Sequence, residues 1–266
     1  MFNSKKIVRI VNLSFNLFKF NNWKELIKDT VIYQKINVAV LKDGINIHSH
    51  GDISTLWIVN EIFFQKVYNP KGFEINPNDL VVNIGVNIGV FSLFAANITK
   101  NSIYAYEPFP NNNEFLKKNV KNNGFGNVIV NNMAITDKVG QSNLFLADGN
   151  TRHLVFNKDV NGNNLEKCYA VPSITLKKII DDNNLKQIDF LNLDCKGAEG
   201  LIFTSTPIEY LKKIRKISME FHDNVSLLNH NQIQTLLNET GFTTRLDWDG
   251  KSHLGCIYAK QISIGV

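Results

Sequence analysis

The segment 78–91, NDLVVNIGVNIGVF, constrains the fold more than any other part of the chain. Leu80 to Ile84 is a short apolar run rich in β-branched residues, the pattern of a strand covered on both faces. Gly85-Val86-Asn87-Ile88-Gly89 follows as a tight turn, and VFSLFAAN then has the apolar spacing and alanines of a helix. A strand, a glycine turn and a helix start form a nucleotide-binding unit. Glycine lets backbone N–H groups approach a ligand closely, and the helix N-terminus carries a partial positive charge. The spacing is G-x-N-x-G rather than G-x-G-x-x-G, which disfavours a nicotinamide-dependent dehydrogenase. A second strand, 102–106, ends at Glu107-Pro108. A carboxylate at that tip can accept hydrogen bonds from both hydroxyls of a ribose, and the proline stops the strand.

Downstream, strands alternate with helices. Strand patterns lie at 128–130 leading to 132–135, then at 141–147, 169–172, 188–194, 216–222, 242–248 and 256–262. Helical patterns lie at 111–123, 174–182, 201–214 with an interruption near Pro207, and 231–239. The alternation predicts an α/β fold with a mostly parallel, Rossmann-like sheet and an antiparallel C-terminal edge strand. Residues 76–266 are expected to form the catalytic domain. Residues 1–75 are expected to be an N-terminal extension of helices and a hairpin, packing on that domain or covering its mouth. Within the extension, residues 1–30 read as one helix that packs on the core or lies as a basic amphipathic segment on a membrane. His48 and His50 share one strand face but have no nearby thiol or carboxylate, so they read as a solvated pair, with substrate contact as the alternative. The polar stretch 151–167 reads as a loop over the site.

The 266 residues, 44% hydrophobic and 20% charged, suffice for one large α/β domain with an extension. A net charge of +5 without a long basic run gives no support to nucleic-acid binding. Cys168, Cys195 and Cys256 lie far apart, which excludes a zinc ribbon or disulfide framework and fits a reducing, cytoplasmic setting. No apolar run approaches the ~20 residues of a membrane span.

Ligands of open parallel sheets bind beyond the carboxyl ends of the strands. Those ends gather Asn83, Gly85, Glu107, Ala134, Asp194, Glu220 and His222 into one cleft. Taken singly, each acid can also be a cap or a solvated charge. Glu199 can sit in the first turn of a helix, where the dipole favours an anion. His222 can be an ordinary strand-end histidine or a general base.

Three blocks, VVNIGVNIGVFSL at 81–93, YEPFP at 106–110 and DFLNLDCKGAE at 189–199, together with EFH at 220–222, resemble those of the FkbM-type methyltransferase family. The resemblance implies a class I methyltransferase that uses S-adenosylmethionine, mostly on hydroxyl groups of sugars or polyketides. It implies that Asn83, Gly85, Asn87 and Gly89 frame the methionine end of the cofactor, that Glu107 holds the ribose, and that Ala134 lies near the adenine. Asp194 and the 197–199 turn would line the reaction cleft, with His222 or Asp194 as the base. No metal set is read from the spacing, although Asp194, Glu220 and His222 can alternatively hold a divalent ion that acidifies the hydroxyl. The acceptor is expected to be a glycan or other small molecule. The family usually has Asp at 83, Ala at 86, Lys at 192 and Glu at 196, where this chain has Asn83, Val86, Asn192 and Lys196. Losing a charged hydrogen bond at Asn83 would weaken cofactor binding about tenfold. Asn83 and Lys196 together motivate the alternative of a non-catalytic binding module.

Overall fold

The computed structural model describes residues 16–146, 153–154 and 168–262. Residues 1–15, which hold most of the expected membrane-facing segment, and all of the 151–167 loop except His153 and Leu154 lie outside the described residues.

The expected N-terminal helix is interrupted. After one turn at Leu17–Lys19, Phe20 is fully buried and bridges to Leu41. The side-chain amides of Asn21 and Asn22 then bond the backbone of Val38, Val40 and Leu41. Asparagines that bond backbone in this way compete with helix formation, so the helix proper starts only with α1 (Trp23–Lys28), which widens into a π turn over Asp29–Tyr33. The hairpin β1 (Ile36–Val40) and β2 (Asn46–Gly51) follows, then α2 (Ser54–Val59), which widens into a π turn over Asn60–Phe64.

The main sheet begins with β3 (Val81–Ile84), α3 (Val90–Ile98), β4 (Ile103–Tyr106), α4 (Pro110–Asn122) and β5 (Val128–Asn131). The chain then leaves it for β6 (Ala134–Ile135), β7 (Gly140–Leu146), β8 (His153–Leu154) and β9 (Cys168–Ile174). These form a second, four-stranded sheet in the order β6-β9-β7-β8. Next come α5 (Leu176–Asp182), β10 (Ile188–Leu193), α6 (Glu199–Ser205), α7 (Ile208–Leu211), β11 (Ile214–His222), α8 (His230–Glu239), β12 (Phe242–Asp247) and β13 (Leu254–Gln261).

The main sheet has the order β12-β13-β11-β10-β3-β4-β5, with β3, β4, β5, β10 and β11 mutually parallel. This is the α/β architecture that the alternation of elements predicts. The antiparallel strand is β13, and it lies between β11 and β12, with β12 outermost. Burial explains the order. Cys256 to Ala259 in β13 are buried on both faces, whereas alternate residues of β12 are exposed. The more apolar strand takes the inner place, and the alternating one forms the rim. Neighbouring residues of a strand serve opposite faces. Val81 and Phe190 thus join a core shared with Phe20, Leu26, Ile47, Leu56 and Phe91. Val82 and Leu191 join another with Ile179, Phe203, Ile233 and Leu237. Residues 20–62 therefore share a core with one face of the sheet.

Side chains of α4 fasten the hairpin to that sheet. Asn119 accepts from the His48 N–H (2.7 Å) and donates to the carbonyls of His48 (3.0 Å) and Ile88 (2.8 Å). Asn123 accepts from the Asn46 N–H (2.8 Å) and donates to its carbonyl (2.7 Å). The two amides act toward β2 as a neighbouring strand would, satisfying backbone groups of its free edge. The histidines read as a solvated pair are drawn into the same contact: His48 Nε2 meets Asn122 (2.9 Å) and His50 Nε2 meets Asn112 (2.8 Å). Asn119→Ala is expected to cost about 2–4 kcal/mol of stability, because it strands buried backbone groups, while Asn122→Ala costs at most about 0.5 kcal/mol; urea denaturation measures both.

Candidate active site

The bend after β3 carries three left-handed residues at alternate positions: Gly85 (φ +79°), Asn87 (φ +52°) and Gly89 (φ +94°). Glycine adopts this region freely, and asparagine tolerates it better than most residues. Space imposes a second demand. A Cβ on Gly85 would lie 2.1 Å from the Asp194 carbonyl oxygen, and one on Gly89 2.4 Å from Leu116 Cδ1. The Gly85 and Val86 N–H groups donate to the Tyr106 carbonyl (3.0 and 3.3 Å), which seats the bend on the end of β4.

Glu107 faces this bend. One carboxylate oxygen accepts from the Asn87 N–H (2.8 Å) and the other from the Phe109 N–H (3.0 Å). Asn112 adds a side-chain hydrogen bond. Burial pushes the Glu107 carboxyl up to about 7, against the pull of those N–H donors. Glu107 borders a slot lined also by Asn87, Tyr106, Met133, Ala134, Ile135, Leu144 and Asp194. The Asn87 side-chain oxygen is buried and without a hydrogen-bond partner among the described residues.

A second cluster lies past β10. Lys196 (φ +47°) and Gly197 (φ +111°) make a left-handed turn, and the Lys196 ammonium meets Asp194 Oδ1 at 2.9 Å. Glu199 sits in the first turn of α6, where the dipole favours it, and is fully buried. One of its oxygens accepts from the Gly197 N–H (2.8 Å), and the other bonds His222 Nδ1 (2.9 Å). His222 Nε2 lies 3.4 Å from Glu220 and 3.9 Å from Asp194. Burial alone would depress the imidazole, but Glu199 and Glu220 outweigh it and carry His222 up to about 10. Burial opposes charge on Asp194 as well, yet Lys196 and His222 hold its carboxyl below the usual range. Burial likewise disfavours the Lys196 ammonium, and Asp194 and Glu220 raise it nonetheless. His222, expected as a base at neutral pH, therefore holds a proton in this arrangement. Its partner Glu199 is the reason.

Asn83 and Asn192 lie side by side in the cleft floor. Asn192 Nδ2 donates to Asn83 Oδ1 (2.9 Å), and Asn83 Nδ2 donates to Ser92 Oγ (3.0 Å). The oxygen expected to meet the cofactor's ammonium is thus already engaged by a neighbour. Asn192 Oδ1 and Ser218 Oγ are buried without partners among the described residues. Both line up on adjacent strands, since Asn192 and Ser218 are in register.

Between the bend and this cluster opens a cavity of about 310 Å³, lined by Asn83, Gly85, Asn87, Asn192, Asp194, Lys196 and Glu220. Its outer wall is Trp57, Ile58, Glu61 and Ile62 of α2 and its π turn, with Tyr68. Every strand-end residue expected from the sequence borders one of the two spaces, except Gly89, Glu199 and His222, which buttress them. Asn112, Met133, Leu144, Trp57 and Tyr68 went unforeseen. Apolar periodicity marks Trp57 as core, and nothing local marks the others.

Residues 83–243 match the family model of the methyltransferase FkbM domain. The chain belongs to that family. It is similar to the 31-O-demethyl-FK506 methyltransferase FkbM of Streptomyces tacrolimicus, with 25% identity over 224 residues, 73% of this chain and 84% of the relative. It is similar also to methyltransferase sdnD of Sordaria araneosa, with 23% identity over 233 residues, 77% and 88% of the two chains. A solved structure of methyltransferase FkbM from Methylobacillus flagellatus aligns over 89% of this chain and 59% of its own, at 12% identity and a TM-score of 0.47.

This FkbM-family chain is a methyltransferase, and S-adenosylmethionine is its cofactor. The residues present fit that group. Glu107 keeps acceptor capacity on both oxygens and borders a slot with Gly85 and Asn87, and Asn87 has a buried oxygen without a partner among the described residues. Ionising Glu107 inside the fold costs about 3 kcal/mol more than in an unfolded chain, so its stabilising effect is full below pH 4.5 and lost as pH rises through about 7. If Glu107 takes the two ribose hydroxyls, as the family resemblance implies, they favour the carboxylate, and binding below pH 7 first expels that proton. Affinity for S-adenosylhomocysteine, read by calorimetry, is therefore expected to fall about tenfold from about pH 8 to about pH 6, and Glu107→Gln to bind weakly with no such slope.

Proposed function

We propose that this methyltransferase acts on a hydroxyl group of a sugar, glycan or other small molecule. The observation that carries the reading is the lining of the larger cavity, which joins apolar and aromatic residues (Trp57, Ile58, Ile62, Tyr68, Phe91) with the carboxylates of Glu61, Asp194 and Glu220. An acceptor with a carbon skeleton and a hydroxyl matches both. The named relative whose substrate is 31-O-demethyl-FK506 supports an oxygen acceptor.

When bound, the cofactor supplies a methyl group on a sulfonium. The chain's own part is to hold and align. Glu107 and Ala134 would hold the nucleoside half, and the Gly85–Gly89 bend the methionine half. Trp57, Ile62 and Tyr68 exclude water from the acceptor side, and the fixed placement of both partners supplies much of the rate. Asp194, held ionised by Lys196, accepts a hydrogen bond from the acceptor hydroxyl and aims its oxygen. His222 keeps its proton on the buried Glu199 side and steadies Asp194 and Glu220. The Asn83 oxygen already accepts from Asn192, which supports a place for the cofactor's ammonium nearer the bend and Asp194.

The test is transfer of labelled methyl from S-adenosylmethionine to a panel of glycans and hydroxylated small molecules, with the product examined by NMR. A methoxy signal is the expected outcome; label on nitrogen or carbon overturns the hydroxyl assignment. Cofactor binding without transfer to any acceptor would return the non-catalytic alternative. Trp57→Ala is expected to raise the acceptor KM about tenfold, the worth of about 1.4 kcal/mol of lost contact, while the affinity for S-adenosylhomocysteine stays unchanged.

A further inference from the structure

The cluster at the mouth of β10 and β11 has more carboxylate than its cations balance. Asp194, Glu220 and His222 each turn one ligating atom to a common point, and these atoms lie within 4.8 Å of one another. His222 Nε2 lies 3.4 Å from Glu220 and 3.9 Å from Asp194. Lys196 touches Asp194 from one side only, at 2.9 Å.

Three further features point the same way. His222 Nδ1 is held by Glu199, a fully buried carboxylate that is itself fixed by the Gly197 N–H. That is the support a metal-binding imidazole receives from outside the ligand set, and it turns Nε2 toward Asp194 and Glu220. Asn192 Oδ1, in a residue 98% buried, has no partner among the described residues and borders the same cavity. It is a neutral oxygen donor on the strand face that carries Asp194. The charge sum also matters: Asp194, Glu199 and Glu220 against Lys196 leave an excess of two negative charges around an imidazole that is neutral when it ligates.

We infer that Asp194, Glu220 and His222 Nε2 bind one divalent cation, taking the place of the ring proton, and that this ion holds the acceptor's hydroxyl oxygen. Two carboxylates and an imidazole suit Mn²⁺ or Zn²⁺ more than a dedicated Ca²⁺ cage. The inference rests on the methyl-transfer reading of the cleft and names how its acceptor is activated. Coordination weakens the acceptor O–H bond, and the proton leaves to water in the open cleft. The oxygen lone pair then bonds the methyl carbon as the carbon–sulfur bond breaks, so the sulfonium becomes a neutral thioether.

Mn²⁺ binding to the full chain, followed by electron paramagnetic resonance, tests this without any turnover. One site of sub-millimolar affinity is expected. Glu220→Gln is expected to weaken it at least tenfold. Lys196→Gln, which removes a competing ammonium, is expected to tighten it severalfold. S-adenosylhomocysteine affinity, measured on the same samples, should change little in Glu220→Gln, so loss of metal is separated from loss of fold or of cofactor binding. Absence of a Mn²⁺ site in the wild-type chain overturns the inference and leaves Lys196 as the cation of the cleft. A Mn²⁺ site indifferent to Glu220→Gln overturns it equally. If Mn²⁺ binds as expected but S-adenosylhomocysteine does not, the methyl-transfer reading fails and the metal site stands.

Discussion

The approach of the Gly85 backbone to the Asp194 carbonyl is the contact on which the rest depends. With 2.1 Å between that oxygen and any Cβ, only glycine lets β3 and β10 end side by side with their loops folded over one cleft. The left-handed bend then turns the Asn87 N–H onto Glu107, and the same bend leads into α3. The placement of Glu107, the approach of Asp194 and the start of α3 are fixed by one pentapeptide. The turn at Lys196 repeats the device on the neighbouring strand with a residue that enters the left-handed region at a cost of about 1–3 kcal/mol. Such strain persists where surroundings over-determine it, here through the Asp194 pairing and the adjacent Gly197.

The electrostatics follow from burial. Burial disfavours charge on Glu107, Asp194 and His222 alike, yet their neighbours split them. Glu107, with neutral donors alone in contact, is pushed up to about 7. Asp194, with an ammonium and an imidazole beside it, is held down. The cleft thus holds one carboxyl raised by burial and another lowered by the cations beside it.

The sequence shows local features well and long-range pairings poorly. The bend, the Glu107 strand tip and the parallel strands were legible because each is written in consecutive residues. The second sheet was not, since β6 pairs with β9 across some forty residues, and only the pairing separates them from the main sheet. His48 and His50 looked solvated because their asparagine partners lie 62 to 74 positions away. Trp57 carries core-like spacing, and that spacing cannot say that its other side faces a cavity. The proton on His222 was invisible for the same reason: Glu199, which stabilises it, is 23 residues distant.

The departures from the family pattern become coherent in space. Asn83 gives up a negative charge and Asn192 a positive one, and the two face each other at 2.9 Å, so the floor loses an ion pair and keeps a hydrogen bond. A buried ion pair replaced by a neutral one of similar shape is close to neutral for stability, whereas restoring one member alone strands a charge. Reverting Asn83 to Asp would therefore place a carboxylate against an amide and a hydroxyl with no cation to meet it. Lys196, four residues after Asn192, supplies a cation at the rim instead, where solvent and Asp194 share its charge. The floor of the cleft is thus neutral, and its cation, Lys196, stands beside Asp194 at the rim of the larger cavity.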